Sequence, residues 1–205
     1  MIKNIIFDFG NVIGNFDYNE VIDKFTDKKE EKEFLINEVI NSDFWIGLGL
    51  LDSGLISYEG VIKLINDKTN NIYPDLVEKL IMNYYKYIYI SDEIKDVVKS
   101  IKEKEYNLYI LSNTSKEVVE YFKDNSIFDY FDGFVLSYKI NMLKPYESIF
   151  KYTLDKFNLI PSECLFIDDR KDNVETANRL GIKGRNVNKD DVNDIIKALK
   201  EYEIL

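Results

Sequence analysis

The sequence predicts an α/β protein in which a parallel-sheet core is interrupted by one all-helical insertion. Three observations predict it. Short apolar, β-prone runs recur along the chain and each ends on polar groups. Helical spacing fills the intervals between them. One long stretch, residues 16–90, contains no strand-like run at all. Strands alternating with helices build parallel sheets, and ligands of such sheets sit off the carboxyl ends of the strands.

The organising run is Ile5-Ile6-Phe7-Asp8-Phe9-Gly10-Asn11-Val12, a buried strand that delivers one carboxylate and then breaks into a glycine turn. Helices are expected next over 18–25, 30–41, 57–66 and 75–87. Phe34, Val39 and Ile40 share one helical face, as do Val61, Leu64 and Ile65. Ser57 suits a helix N-cap and Pro74 a helix start. The charge run over 28–33 reads as a solvated helix face. Residues 41–54 form a glycine-punctuated stretch with the only tryptophan, Trp45; it reads either as a loop facing a ligand or as a helix connection whose tryptophan fills the core of the insertion.

After Ser91 an amphipathic helix (Ile94, Val97, Val98, Ile101) precedes the second strand, Leu108 to Leu111, which runs into Ser112-Asn113-Thr114. A helix over 116–124, the strand Phe134-Val135-Leu136 into Ser137, and a helix over 147–157 follow. The strand Cys164-Leu165-Phe166-Ile167 ends on Asp168-Asp169. A helix over 173–180 stopped by Gly181, a short strand over 184–187 and a helix from Val192 complete the chain. This order gathers Asp8, Ser112, Asp168 and Asp169 into one crevice, with hinges to the insertion at 14–16 and 89–91.

Composition narrows the chemistry. A chain of 205 residues builds one full core and a smaller appendage. A net charge of −10 argues against nucleic acid or an anionic membrane as partner, because both reward clustered Lys and Arg. No window approaches the ~18 apolar residues of a membrane span, and the first apolar run meets Asp8 too early for a signal peptide; a cytoplasmic protein, monomeric or weakly dimeric, is expected. The chain has no histidine, which removes Ser-His and Cys-His catalysis and histidine-ligated zinc. Carboxylates must then serve as acid, base and nucleophile. The single cysteine, Cys164, opens an apolar strand and reads as core.

The segments FDFGNV, LSN, Lys144-Pro145 and FIDD, in that order at strand ends, resemble the four signature motifs of the haloacid dehalogenase-like (HAD) hydrolases. The likeness spans nearly the whole chain and is strongest to small sugar-phosphate phosphatases whose first motif reads D-x-G-N-V. It implies a Rossmann-like core over 1–15 and 91–205 and a helical cap domain over 16–90 that covers the site and selects the substrate. It also implies a Mg²⁺-dependent phosphatase of a small phosphorylated metabolite, a sugar phosphate among them.

By that resemblance Asp8 is the nucleophile that forms an aspartyl-phosphate. Asp169 is the principal Mg²⁺ ligand with Asp8 and the Gly10 carbonyl, and Asp168 assists. Gly10, Asn11, Ser112, Asn113 and Lys144 hold the phosphoryl group. Pro145 stiffens the backbone after Lys144, whose ammonium balances the acids. Ser112-Asn113-Thr114 reads equally well as a turn with a helix cap. Gly10 departs from the family pattern, which usually places a second aspartate there as acid and base. Asp17, Asp43, Asp52 or water are the candidates to replace it. Two other readings share the fold: a non-catalytic phosphate-binding or interaction protein, and a metal-free haloacid dehalogenase, against which the paired acids argue.

Overall fold

The computed structural model describes residues 1–42 and 49–205. Five parallel strands form one sheet: β1 (Asn4–Phe7), β2 (Asn107–Ser112), β3 (Gly133–Leu136), β4 (Cys164–Asp168) and β5 (Lys183–Asn186), in the spatial order β3-β2-β1-β4-β5. The chain moves outward from β1 through β2 to β3, then returns to the other side of β1 for β4. The order therefore reverses at β1, the strand that carries Asp8 at its end.

Both faces of the sheet are covered, as the unbroken apolar runs require. Ile5, Phe7, Leu108, Ile110, Leu165 and Ile167 pack on one face, and Ile6, Tyr109, Leu111, Cys164 and Phe166 on the other. Cys164 is a buried free thiol within this second layer.

The helices are α1 (Tyr18–Ile22), α2 (Lys29–Phe34), α3 (Leu50–Ser53), α4 (Tyr58–Lys68), α5 (Pro74–Ile81), α6 (Asp92–Lys102), α7 (Lys116–Phe122), α8 (Ser137–Ile140), α9 (Glu147–Phe157), α10 (Lys171–Arg179) and α11 (Val192–Glu201). Five start on a side-chain cap: Asp17, Ser57, Ser91, Ser115 and Asp191 each accept a hydrogen bond from the first turn. The sequence reading made several helices too long. The stretch expected over 30–41 passes from α2 into a π-helix at Leu35–Ile40, and that expected over 75–87 ends at Ile81 and resumes as a 3₁₀ turn at Tyr84–Tyr87. The four-residue helices α3 and α8 are too short to show a period. Asp43 and Trp45 lie outside the described residues.

The two connections between sheet core and helical segment run side by side. Asn15 and Tyr89 exchange backbone hydrogen bonds of 2.7 and 3.1 Å. Among the described residues no helix is long and apolar enough to cross a membrane.

Candidate active site

Strand register sets the level of each acid. Phe7 pairs with Ile110 of β2 and Ile167 of β4, so Asp8 stands beside Asp168 at the sheet's carboxyl edge, where its N–H donates to the Ile167 carbonyl at 2.9 Å. The chain then turns on Phe9. Its carbonyl accepts from Ile13 and Gly14 at 2.9 and 2.8 Å, and its own N–H donates to Asp8 Oδ1 at 2.6 Å. A β-carbon on Gly14 would stand 2.7 Å from the Phe9 ring, so this turn needs a glycine there.

One buried lysine links two of the acids. Lys144 Nζ lies 2.8 Å from Asp8 Oδ1 and 2.7 Å from Asp168 Oδ2, and the Lys144–Pro145 peptide is cis. Burial alone would weaken this ammonium, but Asp168 and Asp8 outweigh it and hold its pKa above the ordinary lysine value. The lysine is placed by Asn113, whose Oδ1 accepts the Lys144 N–H at 2.8 Å and whose Nδ2 donates to the Lys144 carbonyl at 2.9 Å.

The neighbouring acids of the fourth motif have different surroundings. Asp168 is fully buried, and its oxygens accept from Lys144, from the Arg170 N–H at 2.8 Å and from Asn173 Nδ2 at 2.9 Å to each. Asp169 is only partly buried and accepts from Asn11 Nδ2 at 3.0 Å. Asn173 was not foreseen; a polar residue inside a helical pattern carries no signal of its own, and only the turn from β4 into α10 brings it under Asp168. Asp8 uses Oδ1 for both the Phe9 N–H and Lys144, which leaves Oδ2 with no protein donor among the described residues.

Carboxylate oxygens of Asp8, Asp168 and Asp169 lie within 4.8 Å of one another. Three carboxylates against one ammonium leave two negative charges to be compensated, and hard oxygen donors at this spacing suit a divalent cation such as Mg²⁺. Burial, joined by Asp168 and Asp169, pushes the Asp8 carboxyl up to about 8 despite Lys144, and burial likewise raises Asp169. Ser112 is buried beside this cluster at the end of β2, its hydroxyl 3.3 Å from the Asn113 carbonyl. Gly10 is exposed at the rim, and a β-carbon there would meet no heavy atom within 4 Å.

The profile of the haloacid dehalogenase-like hydrolases matches residues 2–181. The chain is a haloacid dehalogenase-like hydrolase. Among curated proteins, this hydrolase is similar to a D-ribitol-5-phosphate phosphatase of Bacteroides thetaiotaomicron, with 28% identity over 199 residues, covering 89% of this chain and 90% of that one. A phosphorylated carbohydrates phosphatase of Thermotoga maritima is 21% identical over 128 residues, 62% of this chain and 54% of that one.

Among solved structures, an HAD-like family hydrolase from Porphyromonas gingivalis superposes with a TM-score of 0.75 at 28% identity, covering 99% of this chain and 98% of that one. An HAD family enzyme of B. thetaiotaomicron in complex with magnesium and inorganic phosphate gives 0.72 at 24% identity, covering 93% and 96%. L-2-haloacid dehalogenase from Xanthobacter autotrophicus shares the fold at 15% identity and a TM-score of 0.68, covering 100% and 85%.

Proposed function

We propose that this hydrolase is a Mg²⁺-dependent phosphatase of a small phosphorylated metabolite, with phosphorylated sugars and sugar alcohols as the leading class. The observation that carries the reading is the cluster itself: a carboxylate with one oxygen unengaged among the described residues, two further acids within 4.8 Å, and a buried ammonium bridging Asp8 and Asp168. Phosphoryl transfer needs a nucleophile in line, positive charge around the equatorial oxygens, and donors that hold them. The substrate class is supported by the two curated relatives, which act on phosphorylated carbohydrates.

Asp8 attacks phosphorus through Oδ2, while Oδ1 is restrained by the Phe9 N–H and Lys144. The Lys144 ammonium, held by Asn113, neutralises charge on the phosphoryl group. Ser112, with backbone amides following it and after Asp8, donates to phosphoryl oxygens. Asp8 and Asp169 with the Gly10 carbonyl would hold Mg²⁺, which when bound supplies charge neutralisation and orientation of the phosphate. Asp168, its oxygens occupied by four hydrogen bonds from three donors, fixes the lysine rather than the substrate. The helical segment 16–90 acts as a cap over the crevice and excludes water.

Turnover of 4-nitrophenyl phosphate and of D-ribitol 5-phosphate, measured with Mg²⁺ and with EDTA, tests the reading. Activity that needs Mg²⁺ and disappears in Asp8→Asn is expected. Full activity in Asp8→Asn, or in EDTA, contradicts it.

A further inference from the structure

An alkyl phosphate ester needs a proton on its leaving oxygen, and the cluster around Asp8 has none to give. Asp8 is the nucleophile, Asp168 has both oxygens occupied, Asp169 lies in the cation site, and Lys144 is pinned between two carboxylates that raise its pKa. Gly10 contributes no side chain. Asp17 is exposed, and its Oδ1 caps α1, accepting from Asn19 and Glu20 N–H groups at 2.7 and 3.2 Å. Deepening the phosphatase reading, on which this rests, we propose that Asp52 of the helical segment is the general acid and base of the reaction.

The geometry fixes Asp52 against the core. Ser137 Oγ donates to the Asp52 carbonyl at 2.6 Å and accepts the Thr114 N–H at 2.9 Å, which ties α3 to the loop just past Ser112. Asn141 Nδ2 donates to the next carbonyl, Ser53, at 3.0 Å. Gly54 follows with φ of 69°, so close to α8 that a β-carbon would lie 2.3 Å from the Tyr138 carbonyl oxygen. The Asp52 carboxyl lies within the electrostatic reach of Lys144, with Tyr18, Tyr58 and Tyr84 as its other titratable neighbours. No hydrogen bond among the described residues engages its carboxyl. Burial pushes that carboxyl up to about 7 against the pull of Lys144, the range in which a group serves as acid in one step and base in the next.

The steps balance. Asp8 Oδ2 bonds to phosphorus as the bond from phosphorus to the carbinol oxygen breaks, and that oxygen keeps the electron pair and takes the Asp52 proton, giving the alcohol. The Asp52 carboxylate then removes a proton from water. The water oxygen bonds to phosphorus, the bond to Asp8 breaks, and phosphate leaves with Asp8 a carboxylate and Asp52 protonated again.

The test compares kcat/KM, which reports the first step, for D-ribitol 5-phosphate and 4-nitrophenyl phosphate in the wild type, Asp52→Asn, Asp52→Glu, Asp17→Asn and Asp43→Asn. The nitrophenolate leaves without a proton, so Asp52→Asn should lose roughly 100-fold or more on the alkyl ester and under about tenfold on the aryl ester. The wild type should lose alkyl activity as pH rises through about 7, and this limb should be absent in Asp52→Asn. Asp52→Glu should recover part of the alkyl activity. Equal losses on both esters, a pH limb unchanged in Asp52→Asn, or the same selectivity in Asp17→Asn or Asp43→Asn overturns the assignment while leaving the phosphatase reading intact. A wild type inert towards both esters overturns both.

Discussion

Asn113 and Lys144 are joined by two reciprocal hydrogen bonds, the asparagine side chain closing on the lysine's own peptide groups at 2.8 and 2.9 Å. The second and third motifs are thereby one unit: the loop after β2 holds the backbone from which Lys144 reaches Asp8 and Asp168. Asn113→Ala is expected to lower kcat by roughly 10- to 100-fold, because misplacing a positioned group by about an ångström costs that much. Asn113→Asp should restore little, since a carboxylate accepts the Lys144 N–H but cannot donate to its carbonyl. Steady-state kinetics on both variants, with circular dichroism to confirm folding, checks this; an unchanged kcat in Asn113→Ala would show that Lys144 is held without it.

Lys144→Met removes the cation from two buried carboxylates. Breaking a buried ion pair from one side costs about 3–5 kcal/mol, so a marked fall in denaturation midpoint is expected without divalent cation. Because the variant leaves one more negative charge in the cluster, saturating Mg²⁺ should raise its melting temperature more than that of the wild type. Thermal melts with and without Mg²⁺ read both effects, and equal Mg²⁺ responses would place the cation elsewhere.

Asp52 gives a pH dependence of stability whose sign follows from a raised carboxyl pKa. Between about pH 4, where the unfolded chain releases this proton, and about pH 7, where the folded carboxyl does so, stability falls as pH rises, and above that window the loss is constant. Asp52→Asn is therefore expected to match the wild type at about pH 4 and to exceed it by ~1–3 kcal/mol at about pH 8, a figure reduced for the carboxyl's partial exposure. Urea titrations at the two pH values check it. A difference that is equal at both would remove the ionised carboxyl as the cause.

The hydroxyl of Tyr58 on α4 stands 2.6 Å from Ser115 Oγ at the start of α7 and 3.0 Å from the Tyr84 hydroxyl, all three buried. This is a polar tie between the helical segment and the loop that carries Ser112. Tyr58→Phe removes both of these buried hydroxyl contacts and should cost about 1–3 kcal/mol of stability. If the segment works as a cap, KM should also rise more than kcat falls. A stability loss with unchanged KM would make the tie purely structural.

Much of the core and of the acid cluster was legible because a parallel sheet writes itself into sequence. Its strands are buried on both faces and read as apolar runs, and the polar residue after each run marks the edge where ligands bind. Asp8, Ser112, Asp168 and Asp169 were found this way. Lys144 was not legible from pattern, since one lysine among many carries no period; the Lys-Pro step and the family likeness singled it out. Asn173 and the Asn113 clamp depend on turns whose geometry leaves no periodic trace. Asp52 sits on a four-residue helix in a glycine-punctuated stretch, too short for any repeat, so it entered the reading only as one acid among several. The helices were overextended where apolar spacing continued past a break, as at Ile81, because side-chain period does not report a tightened backbone.

The claim on which the account depends is that Asp8 bonds to phosphorus. Enzyme mixed with D-ribitol 5-phosphate and Mg²⁺, quenched within the first turnover, reduced with borohydride and digested, can be read by mass spectrometry for conversion of an acyl-phosphate to homoserine. The account predicts that conversion at position 8, dependent on substrate and absent in Asp8→Asn. Substrate turned over with position 8 unmodified, or a modified carboxylate elsewhere in the chain, would contradict it.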